Sequence, residues 1–182
     1  MSWFAEQSVV LQAFLAGLFT WTCTIIGSGI VFFFKNVSRK LLDTMQGFAA
    51  GVMIAASFWS LLAPSISYAE PIYGSWSWVP AAVGFLLGGY FLRFIDAIIP
   101  HLHLGHDIAK AEGGSKEERK KLSKTALLFL AITIHNIPEG LAVGVTFGAL
   151  ANNFSQAAYV GALGLALGIG LQNIPEGSAL SI

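Results

Sequence analysis

The amino-acid sequence predicts an all-α polytopic membrane helix bundle with five transmembrane helices, the N-terminus outside and the C-terminus inside. Three observations carry that expectation. Charge is scarce: of 182 residues 11% are charged and 55% hydrophobic, with a mean hydropathy of +0.68, where a soluble domain carries roughly 25% charged residues. The charges present leave long gaps, since no Asp, Glu, Lys or Arg occurs from Gln7 to Phe34, Thr44 to Ala69, Pro71 to Leu92 or Gly140 to Pro175. Finally, the basic residues cluster in loops of one parity, which sets the orientation. The balance of 10 Lys and Arg against 10 Asp and Glu excludes a nucleic-acid binder working through a basic surface. A single cysteine, Cys23, excludes a disulfide framework and any Cys-rich zinc module.

Crossing a bilayer takes about 20 apolar residues at 1.5 Å rise each. On that measure the spans are Val9–Phe34, Leu41–Pro64, Trp76–Ile99, Thr125–Leu150 and Gln156–Ile182. The first is not a secretory signal, because it lacks a basic n-region and is too long for an h-region. Lys35, Arg39 and Lys40 lie between spans one and two. Lys110, Lys116, Arg119, Lys120, Lys121 and Lys124 lie between spans three and four, so nine of the 10 basic residues sit in two loops. The opposite loops, Ser65–Ser75 and Ala151–Ser155, contain none. The basic loops are therefore expected in the cytoplasm. Residues 1–182 form one membrane domain, with a polar cytoplasmic loop over residues 100–124 that contains Gly113-Gly114. Trp3, Trp76 and Trp78 fit an interfacial belt, with Trp21 and Trp59 deeper. Small residues at four-residue spacing, such as Gly47/Gly51 and Gly164/Gly168, permit close helix packing.

The chemistry lies in a repeated motif. His135-Asn136-Ile137-Pro138-Glu139-Gly140 sits in span four, and Gln172-Asn173-Ile174-Pro175-Glu176-Gly177 follows 37 residues later in span five. A carboxylate in the hydrocarbon is costly unless paired, hydrated or bound to an ion, and neither span contains a Lys or Arg for Glu139 or Glu176. His135 and Glu139 are four residues apart, as are Gln172 and Glu176, so each pair shares a helix face. Each proline removes an N–H and frees a carbonyl one turn earlier, at Ile134 and Leu171. The first motif lies roughly 15–21 Å into span four, and the second roughly 24–30 Å into span five. Running antiparallel, they can meet near the midplane. Two carboxylates and a neutral imidazole match the charge of one divalent cation, and a mixed N/O set suits zinc, iron, manganese or cadmium. The plain alternative is a pair of proline kinks whose polar side chains join helices by hydrogen bonds. An intramembrane metallohydrolase would need an arrangement such as H-E-x-x-H with an open metal position, which these residues do not supply.

HNIPEG followed by QNIPEG on the next helix resembles spans four and five of the ZIP (Zrt-, Irt-like) family of divalent metal transporters. The resemblance runs along the whole chain in span order and covers the first five of the family's usual eight helices. It implies a metal site formed by His135, Asn136 and Glu139 with Gln172, Asn173 and Glu176. The bacterial branch adds a methionine from a Gly-x-Met segment of span two, matched by Gly51-Val52-Met53. It also implies an exit route past Asp96, His101 and His103, with His106 and Asp107 following, and an entrance near Ser60. Where some relatives have Asp, this chain has Asn173.

Several residues have simpler readings. Arg93 and Asp96, three apart, suit an i, i+3 ion pair, and Ser60 suits a hydroxyl bonded to its i−4 carbonyl. Cys23, Met45 and Phe32–Phe34 read as lipid-facing or packing residues. The expected function is transport of a divalent transition metal, zinc foremost, into the cytoplasm across the inner or plasma membrane. No catalytic activity is expected, and no ATP-binding loop is present. The metal is a bound substrate, Zn2+ or another divalent transition metal. The expected partners are that metal and the lipid bilayer; a homodimer is allowed, and no nucleic acid is expected. A metal sensor or partner subunit that does not transport is the alternative.

Overall fold

A computed structural model of the chain describes residues 2–29, 38–101, 111–117, 122–152 and 154–181. The architecture is all-α. A short helix α1 (Ser2–Ala5) precedes α2 (Val9–Gly29), α3 (Arg39–Ala56), α4 (Ala63–Tyr73), α5 (Trp78–Ile98), α6 (Lys124–Ala149) and α7 (Gln156–Ser181). Five helical segments are long and apolar enough to cross a membrane. Among the described residues the single extended pairing is one antiparallel bridge, His101 with Glu112. Large apolar side chains such as Phe85, Leu87, Tyr90 and Phe94 on α5 are exposed along its length. Such a surface suits a hydrocarbon environment, where apolar exposure has no cost. The chain is a multi-pass membrane protein.

The second span differs most from expectation. The helical path does not stop at Pro64 but runs from Arg39 to Trp76, 38 residues, so most of the loop expected over Ser65–Ser75 is helix. A wide π turn over Ser57–Leu62 joins α3 to α4. There the Ala63 N–H bonds back to Phe58 O, five residues earlier. This resets the hydrogen-bond ladder just before Pro64, which then falls in the first turn of α4. A missing N–H is tolerated there. Ser38 starts the same path as an N-cap, its hydroxyl accepting from the Leu41 N–H at 3.3 Å. Span one is helical to Gly29; residues 30–37, including Lys35 and Phe32–Phe34, lie outside the described residues.

The chain divides into two compact units. The first comprises residues 1–65 and 140–182. Its core gathers Ala16 of α2, Val143 and Phe147 of α6, and Tyr159, Ala162, Leu165, Ala166 and Ile169 of α7, with Phe4 edge-on to Phe147 at 6.1 Å. Within this unit α7 packs on both α2 and α3. The approach of α2 to α7 is close enough to require glycine: a Cβ at Gly27 would strike the Ile174 carbonyl, and one at Gly177 the Thr24 carbonyl. Hydroxyls fasten the same seam, Ser178 Oγ donating to Gly27 O at 3.0 Å and Ser28 Oγ to Gly177 O at 3.2 Å. Small-residue contacts of this kind hold membrane helices together where the hydrophobic effect does not act between them.

The second unit comprises residues 66–139. It contains most of α4, all of α5, the turn after α5 and the first part of α6. Trp76 and Trp78, beside its α4–α5 connection, stack with ring centroids 6.2 Å apart.

Candidate metal centre

Both motifs lie inside continuous helices, Pro138 in α6 and Pro175 in α7. On α6 the imidazole of His135 donates from Nδ1 to the Ala131 carbonyl at 2.8 Å. A proton held on Nδ1 leaves the Nε2 lone pair as the metal-binding atom, the usual division of labour in a ligating histidine. His135 is exposed, and Asn136 and Glu139 are half-buried.

On α7 the motif is more enclosed. Gln172 and Asn173 are buried, while Glu176 is half-buried. Gln172 Nε2 donates to Asn173 Oδ1 at 3.0 Å, and Asn173 Nδ2 donates to the Thr20 carbonyl of α2 at 3.2 Å. The asparagine thus ties the motif to α2 and restrains its glutamine neighbour. Met53 is on α3, which packs on α7 in the same unit.

A second group of ligating side chains closes the far end of α5. Ile99 adopts an extended conformation, as expected before Pro100, and the chain then returns to the helix end. Asp96 Oδ2 pairs with Arg93 Nη1 at 3.1 Å, and Asp96 Oδ1 lies 2.9 Å from His101 Nε2. His101 is 1% exposed, and its Nδ1 lies 2.8 Å from the Ile99 carbonyl. Ligating atoms of Asp96, His101 and Glu112 all lie within 4.8 Å of one another.

No protein-family model matches the chain. Among curated proteins it is 40% identical over 208 residues to zinc transporter ZIP11 of Xenopus tropicalis, covering 79% of this chain and 62% of that protein. It is 37% identical to zinc transporter ZIP11 of Homo sapiens, over 79% of this chain and 63% of that protein. To zinc transporter ZIPB of Bordetella bronchiseptica it is 32% identical, over 74% of this chain and 42% of the relative. The chain belongs to the ZIP family. It spans less than two thirds of the length of these ZIP relatives.

Of the residues singled out in this ZIP chain, Gln172, Asn173, Glu176 and Met53 fall in the first unit and His135, Asn136 and Glu139 in the second. Asp96 and His101 are brought together, and the Arg93–Asp96 ion pair coexists with that contact because each uses a different carboxylate oxygen. His103 lies outside the described residues, as do His106, Asp107, Lys110, Arg119, Lys120 and Lys121. Ser60 lies inside the π turn. Extra residues per turn rotate it away from the α-helical stack over Met53 that the seven-residue spacing predicts. Sequence reasoning missed Glu112. Its one signal was position: an acidic residue directly before Gly113-Gly114, the pair that turns the chain back.

Proposed function

We propose that this chain carries the metal pathway of a ZIP transporter and moves divalent transition-metal ions, zinc foremost, across a cell membrane into the cytoplasm. The observation that carries the reading is the twin motif, two proline-bearing membrane helices each with a glutamate and no basic residue between Thr125 and Leu150 or between Gln156 and Ile182. The ZIP relatives named zinc transporters support the choice of cargo. Glu139 and Glu176 supply the charge, His135 the nitrogen ligand through Nε2, and Asn136, Gln172, Asn173 and Met53 complete the shell. A mixed N/O shell with one thioether favours zinc, iron, manganese or cadmium over magnesium, which prefers octahedral oxygen. Ser60 borders the entrance, and Asp96, His101 and His103 line the exit.

In this reading the N-terminus is outside and both basic loops are in the cytoplasm, which the placement of nine of the 10 basic residues supports under the positive-inside rule. The test is metal flux into proteoliposomes containing the purified chain. Zinc uptake that falls to background in both Glu139→Ala and Glu176→Ala supports transport. Tight zinc binding without flux overturns it in favour of a sensor or partner subunit, and flux unaffected by either substitution removes the motif site.

A further inference from the structure

We infer that Pro64 is a positioning residue: by withholding an N–H it holds the turn over Ser57–Leu62 wide and leaves the Trp59 carbonyl to bind water beside the Ser60 hydroxyl. In an α-helix the Trp59 carbonyl accepts from the N–H four residues on, at Ala63. Here that N–H is bonded to Phe58 O instead. In the π pattern the donor is five residues on, at Pro64, which has no N–H. Neither pattern therefore gives the Trp59 carbonyl a main-chain donor.

Side chains in the turn are open as well. Other hydroxyls in the spans bond back to the carbonyl four residues earlier: Thr22 to Leu18 at 2.7 Å, Thr133 to Phe129 at 2.9 Å and Thr146 to Ala142 at 2.7 Å. Among the described residues neither the Ser57 nor the Ser60 hydroxyl makes such a bond. The back-bond that the sequence suggests for Ser60 is not formed, because the widened turn has moved the ladder on which it depends. One turn thus holds a carbonyl and two hydroxyls with bonding capacity to spare, matching the two to four polar partners that a bound water takes.

Position in the membrane gives these oxygens their meaning. Trp59 is 18 residues beyond Leu41, roughly 27 Å along a helix, near the far edge of a hydrocarbon core about 30 Å thick. Backbone that breaks the α ladder at such depth is tolerated where protein covers it or where it lines water. Trp59 is 70% exposed, which leaves water as the partner. Alanine at position 64 would restore the missing N–H, so the wide turn and its open carbonyl are specified at that one residue. The inference rests on the proposed function only for calling this place the entrance, where held water meets the hydration shell of an arriving cation.

The test is isotope-edited infrared spectroscopy of the full chain in lipid nanodiscs, with 13C at the carbonyl of every tryptophan. Subtracting the spectrum of Trp59→Phe isolates the Trp59 band from the rest of the five tryptophans. That band is expected where a water-bonded carbonyl absorbs, and it should shift on transfer to D2O. With Pro64→Ala it should move to the position of a helix-paired carbonyl and lose the D2O shift. A proline that merely stabilised the helix would alter the unfolding midpoint and leave the band in place. Circular dichroism checks that Pro64→Ala keeps its helices, and the first measurement needs no change at Pro64. A Trp59 band at the helix-paired position in the natural sequence, one at the position of a dry unbonded carbonyl, or one unmoved by Pro64→Ala overturns the inference. If the band moves as expected while zinc uptake into proteoliposomes is unchanged, the hydrated turn stands and the entrance reading fails.

Discussion

Asn173 illustrates how one side chain can serve two helices. As an amide it donates to the Thr20 carbonyl and accepts from Gln172, a combination that a carboxylate cannot reproduce. An oxygen in place of Nδ2 would face the Thr20 carbonyl with no proton between them. Asn173→Asp is therefore expected to cost about 1–3 kcal/mol, the range for leaving a buried polar group unsatisfied. A lowered thermal unfolding midpoint of the purified chain would show it, and an unchanged midpoint would mean the Thr20 bond contributes nothing. The residue's place in the motif is plain from the sequence, because the repeat announces it. Its bond to Thr20 is not, because no local pattern says which helix lies behind α7. Glu112 was hidden for a related reason: its partners stand far from it along the chain, and only the glycine pair after it hints at a return.

At the scale of elements, helix existence was legible and helix length was not. Charge-free runs mark the five spans because a bilayer tolerates few charges wherever the helices end up packing. Pro64 reads as a stop signal on local rules, and the π turn of Ser57–Leu62 removes the conflict that makes proline a stop. Glycine spacing likewise marks many helix faces, yet Gly17, Gly84 and Gly140 have open space around them while Gly27 and Gly177 have none. The contrast gives a direct test. Gly177→Val pushes a side chain into the α2 backbone, which cannot rotate away, and should cost about 3 kcal/mol, the upper part of the overpacking range. Gly17→Ala meets nothing within 4 Å and should be neutral or stabilising by up to about 1 kcal/mol through helix propensity. Thermal stability by size-exclusion recovery compares the two; equal effects would contradict the tight α2–α7 seam.

For the whole molecule, the distribution of charge outweighs its sum. A chain with no net charge is still expected to have a direction, because nine of its 10 Lys and Arg residues fall in alternate connections. Two exposed serines test it. Ser75→Cys, in the turn before α5, should react with a membrane-impermeant maleimide on intact spheroplasts. Ser115→Cys, in the loop after α5, should react only once the membrane is broken. The reverse pattern would invert the orientation and, with it, the assignment of entrance and exit. The placement of the two motifs within helices was equally readable in advance, since each proline and glutamate recurs at the same offset.

Cys23 is the one sulfhydryl in the sequence, and it is buried where α2 faces α7, with its sulfur 3.2 Å from where a Cβ on Gly170 would stand. That seclusion makes it a timekeeper. An alkylating reagent can reach the sulfur only when the two helices part, so its labelling rate records how often they do. The protein thus comes with its own clock for the seam beside the second motif, readable without adding a probe.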